Sequence, residues 1–196
     1  MSQVGAERAD PTLRAIAGLR ATNRVIALLC GVALLLTVGF VLVEIGLRVV
    51  GAHGLGGSDE IGGYVMAGVT AWGLAFALTE RAHIRIDMAV RRLRPLGRDV
   101  IDVLALGSIA LVAVTVATYG WAVVAKSLAR GSRANTPLET PLALPQGVWW
   151  AGWTWFAVCS CLVAAVAAVL LVRRRSAELK ALASDAEGDI VAGERA

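Results

Sequence analysis

The sequence predicts an all-α integral membrane protein: four transmembrane helices, plus a short cytoplasmic interfacial helix between the second and the third. Three observations predict it. The 196 residues are 57% hydrophobic, against the ~45–50% usual for a soluble domain, and the mean hydropathy is +0.68. The apolar surplus is gathered in four runs of roughly 18–26 residues, each long enough at ~1.5 Å per residue to cross a ~30 Å hydrocarbon core. Charge is segregated from these runs: of 19 lysines and arginines, 15 lie in the two tails and in the loop after the second run.

The first run, Val25–Leu47, follows a polar tail, residues 1–23, that reads as flexible. It exceeds the ~7–15 residues of a signal-peptide core and closes on Glu44 and Arg48 instead of a small-residue cleavage site. It therefore predicts a retained helix, the first of a membrane domain spanning 24–174. Glu44 and Arg48 stand four apart, the favoured order for a helical ion pair. Asp59 and Glu60 precede the second run, where carboxylates complement the helix dipole and come within reach of Arg48. Glu44, Arg48 and Glu60 are thus expected to form an outer ion-pair cluster joining the first two helices.

The second run, Ile61–Leu78, carries Gly63, Ala67, Ala71 and Ala75 at four-residue spacing. Such a stripe lets another helix approach closely, in this chain or in another subunit. Trp72 sits mid-run as a packing or lipid-contact residue. Then comes "TERAHIRIDMAV", Thr79–Val90. His83, Arg85 and Asp87 alternate with Ile84 and Ile86, which puts the polar residues on one side of an extended segment. Asp87 suits the N-cap of a short helix, Met88–Arg94, ended by Pro95 and Gly97. With apolar residues on one side and arginines on the other, that helix is expected to lie in phospholipid headgroups. His83, Arg85 and Asp87 would then act as a clasp between it and the second helix.

The third run spans roughly Val100–Ala125 and the fourth roughly Trp149–Val172. Between them, Pro137, Pro141 and Pro145 restrict the connection to extended and turn conformations. Residues 175–196 form a polar tail that opens as a short helix and frays. Cys30, Cys159 and Cys161 lie inside apolar runs without metal-ligand spacing, and read as small buried hydrophobes.

The basic asymmetry places both termini and the middle loop in the cytoplasm. The pI near 9.4 then reflects topology, and no nucleic-acid partner is implied. Tyr64, Tyr119, Trp121, Trp149, Trp150 and Trp153 fall near the outer helix ends, as an interfacial belt does.

Several functions are excluded. There is no nucleophile elbow, phosphate loop or mid-membrane carboxylate pair, so no enzyme activity and no cofactor are expected. The two histidines, His53 and His83, cannot supply facing axial haem ligands. A self-sufficient carrier needs ionisable residues or broken helices near the midplane, where these runs hold Thr37, Thr70, Ser108, Thr115 and Thr154 and no charge. What remains is a membrane scaffold or accessory subunit.

The segment "DEIGGYVMAGVTAWGLAFALTERAHIRIDMAV" resembles the hallmark region of the small permease subunit of tripartite ATP-independent periplasmic (TRAP) transporters, the DctQ-like family. Glu60 opens the helix, Gly73 lies within it, and His83-Ile84-Arg85-Ile86-Asp87 matches a "HIRVD"-like close. Arg48 after the first helix and "TPLALP", Thr140–Pro145, fit the same pattern. The likeness covers about residues 25–172; the arginine-rich C-terminal tail departs from it. It implies an inner-membrane scaffold for the large TRAP permease subunit, in sodium-coupled import of an organic acid delivered by a periplasmic substrate-binding protein. The alternative is an orphan four-helix membrane protein, an assembly factor or small carrier.

Overall fold

The computed structural model describes residues 11–51, 56–80 and 95–183. Among these residues, four helices are long and apolar enough to span a membrane: α1 (Pro11–Val49), α2 (Ser58–Thr79), α3 (Pro95–Arg130) and α4 (Ala143–Val172). A fifth, α5 (Ser176–Ala183), follows. The expected interfacial helix at 88–94, with His83, Arg85 and Asp87, lies outside the described residues.

Three helix starts differ from the sequence expectation, each for a visible reason. α1 begins at Pro11, so residues 11–23 are helical where a flexible tail was expected. Proline suits a first helical position, and Ile16, Leu19 and Asn23 continue a helical stripe that packs inward: Ile16 and Asn23 are buried and Leu19 lies on the core. α3 opens at Pro95, ahead of the expected start near Val100, for the same first-turn reason. α4 starts at Ala143, which puts Pro145 inside its first turn.

The helices are arranged in a row. α1 packs on α2, α2 on α4, and α4 on α3, with only a slight meeting of α1 and α4. α4 is central: 39% of its apolar window is buried inside the protein, against 0% for α1. The core runs along α4 through Phe156, Cys159, Val163, Ala167 and Leu170, met by Ala75 and Leu78 of α2 and Leu106 and Ala113 of α3. Only Cys159 of the cysteines is buried; Cys161 is exposed and Cys30 half-exposed. An α4 residue two positions from a core-facing one turns about 200° away from the core.

α2 and α4 approach closely at Gly152. A Cβ there would stand 2.9 Å from the Ala71 Cβ and 3.0 Å from its carbonyl carbon. The small-residue stripe of α2 therefore divides: Ala71 and Ala75 are buried, whereas Gly63 and Ala67 are exposed. On the other side of α4, Trp150 donates to the Ala117 carbonyl at 2.8 Å and lies 4.8 Å from Trp121. The expected aromatic belt thus also stitches α3 to α4.

Candidate functional site

Polar side chains gather at the two ends of the helices. At the basic end, Asn23 of α1 is 1% exposed. Its amide donates to the Ala75 carbonyl at 3.0 Å and to the Thr79 hydroxyl at 3.1 Å. Its oxygen accepts the Trp155 indole N–H at 2.8 Å. One amide thereby joins α1, α2 and α4. Arg20 donates to the Thr79 carbonyl at 3.1 Å, and Arg24 pairs with Glu80 at 2.9 Å. Together these groups tie the third and fourth turns of α1 to the end of α2.

At the far end, Glu44 is 1% exposed and takes Arg48 at 2.5 Å. Ser58 and the Gly56 backbone lie against the same carboxylate, so α2 begins where α1 has placed its acid. Glu60 does not complete the expected ion cluster. It accepts the Tyr64 hydroxyl at 2.7 Å and faces Thr136, Thr140 and the Leu138 backbone. The α3–α4 connection is shaped for this by an antiparallel bridge between Arg133 and Pro141 and by an Ala134-to-Thr140 backbone bond of 2.9 Å. Leu138 seats directly on Gly57, whose φ of +79° suits glycine. Arg48 thus belongs to the α1–α2 junction, and Glu60 to the junction of α2 with the α3–α4 loop.

Between the ends, the midplane hydroxyls are turned onto their own helices. Thr37 donates to the Ala33 carbonyl, Thr70 to Met66, Ser108 to Ala105, Thr115 to Leu111 and Thr154 to Trp150. Each distance is 2.8 or 2.9 Å. A groove of about 480 Å³ between α1, α2 and α4 is lined by apolar groups such as Ile26, Ala33, Val65 and Val148. Trp72 bridges its floor by donating to the Val148 carbonyl at 3.1 Å. No cluster of three or more metal-ligating side chains occurs among the described residues.

Residues 37–175 match the family model of tripartite ATP-independent periplasmic transporters, DctQ component. The chain belongs to the DctQ family. It is a small membrane subunit of a TRAP transporter, a multi-pass protein of the bacterial inner membrane. No curated protein and no solved structure matches the chain. The DctQ match opens inside α1, after Asn23, and closes one residue before Ser176.

Sequence reasoning does not single out Asn23, Trp155 or Gly152. A lone amide beside an arginine at the edge of an apolar run is the one local signal of Asn23. Its partner stands 132 residues away and leaves no trace near it.

Proposed function

We propose that this DctQ subunit is a passive scaffold for the large permease subunit. The large subunit carries the solute, an organic acid brought by the periplasmic binding protein, in a sodium-coupled import cycle. Both termini and the α2–α3 connection face the cytoplasm, where His83, Arg85 and Asp87 clasp the end of α2. Gly63 and Ala67 form a close-approach stripe for a helix of the large subunit, and phospholipid covers the remaining apolar surface.

One observation carries this reading: the hydroxyls of Thr37, Thr70, Ser108, Thr115 and Thr154, and that of Ser160 in the middle of α4, are spent on their own backbones. A hydroxyl bonded to its own helix is poorly placed to replace a solute's hydration shell. The exposure of Gly63 and Ala67 supports the partner stripe, because small residues facing outward offer a neighbouring helix little obstruction.

Co-purification tests the scaffold role. Tagged chain, co-expressed with its large permease subunit and extracted in mild detergent, should bring that subunit down stoichiometrically. Gly63→Leu should reduce recovery severalfold without altering the fold of the chain itself. Full transport by the large subunit in cells lacking this chain would overturn the scaffold role.

A further inference from the structure

The chain turns sharply between α4 and α5. Arg174 has a left-handed backbone, φ +54°. Its N–H reaches the Leu171 carbonyl and the Arg175 N–H reaches that of Leu170, both at 3.0 Å. This is a Schellman-type helix end with arginine where glycine is usual. Holding a side chain in that conformation stores strain, which the surroundings must offset.

The turn folds α5 back onto α3 and α4. Leu179 is 0% exposed and joins the core cluster beside Leu170, with Leu182 packed against it. The Ser176 hydroxyl donates to Asp99 Oδ2 at 2.5 Å, and Asp99, near the start of α3, is 2% exposed. Arg175 and Glu178 pair across the first turn of α5.

We propose that α5 is a strap that closes over the adjoining ends of α3 and α4, with the Ser176–Asp99 hydrogen bond as its catch. An eight-residue helix does not sustain itself in isolation. Among the described contacts, those that hold it include the fully buried Leu179, the partly buried Leu182 and the Ser176–Asp99 bond. Against these stand the strained Arg174 and the second Asp99 oxygen, Oδ1, which is buried without a hydrogen-bond partner. Closed and open states therefore lie close in energy, as in other local elements that open while the rest of a fold stays intact. Opening uncovers Leu179 and hydrates Asp99. The strap starts where the DctQ match stops, so it is a device of this chain beyond the matched region.

Hydrogen exchange of the full chain in lipid nanodiscs, read by mass spectrometry, tests the strap. Amides of α5 should exchange more slowly than a free peptide but faster than those of Gly152–Val163. Ser176→Ala should speed α5 exchange ~5–10-fold, the effect of one lost hydrogen bond. Alanine is the better helix former, so weaker helicity would not explain the change. Ser176→Thr keeps the hydroxyl and should restore wild-type exchange. The strap is overturned if Ser176→Ala leaves α5 unchanged, or if wild-type α5 exchanges like a free peptide. It is equally overturned if α5 is as protected as Gly152–Val163, or if both segments accelerate together.

Discussion

Trp155 donates its indole N–H to the side-chain oxygen of Asn23 at 2.8 Å, across 132 residues of chain. The same amide reaches the Ala75 carbonyl and the Thr79 hydroxyl. This contact brings α1, the outermost helix of the row, to α4 at its centre. A buried amide that lost these partners would find little water in an apolar surrounding.

Asn23→Leu should therefore destabilise the chain by about 1–2 kcal/mol, the usual cost of orphaning buried partners. The measurement is unfolding in mixed micelles with rising sodium dodecyl sulfate. A double-mutant cycle with Trp155→Phe should give a coupling of about 0.5–1.5 kcal/mol. Strict additivity would mean that the bond contributes nothing.

Gly152→Val should prise α2 from α4, because even a Cβ there meets Ala71 at 2.9 Å. Folded yield in detergent should fall severalfold. Gly63→Ala meets nothing within 4 Å among the described residues, and its folded yield should stay at wild type. Equal yields for both variants would contradict the close approach.

Arg48→Ala leaves the buried Glu44 without its cation, whereas Arg133→Ala removes only an exposed bond to the Glu139 carbonyl at 3.2 Å. Yield of the complex with the large subunit should drop more for Arg48→Ala, as judged by size-exclusion chromatography. Matching yields would show that Arg48 is merely solvated.

Asp87→Ala should weaken transport by the full complex, and Arg94→Ala should leave it near wild type. The comparison isolates the clasp from the general basicity of the α2–α3 connection. Wild-type uptake and co-purification for both variants would reduce "AHIRID" to the polar end of a helix.

The four spans are legible in the sequence because hydrophobicity sums over about twenty residues and outweighs local detail. Helix ends are less so. Pro11 and Pro95 each start a helix, yet a proline in a polar stretch reads equally well as a stop. The pair Glu44–Arg48 is visible as an i,i+4 spacing. Glu60 is only partly assignable that way: Tyr64 stands four residues on, but its other neighbours, Thr136, Leu138 and Thr140, belong to the α3–α4 loop. The order α1-α2-α4-α3 and the Asn23–Trp155 bond depend on long-range packing, which has no local signature. The small-residue stripe announced a close approach, but not that Gly152 would complete it at Ala71 while Gly63 and Ala67 remained exposed.

The scaffold account stands or falls on uptake by reconstituted liposomes under an inward sodium gradient, with a panel of labelled organic acids. Vesicles holding this chain alone, with the binding protein outside, should take up no more than empty vesicles. Vesicles holding it together with the large subunit should accumulate the substrate. Sodium-driven uptake by the chain alone would contradict the account.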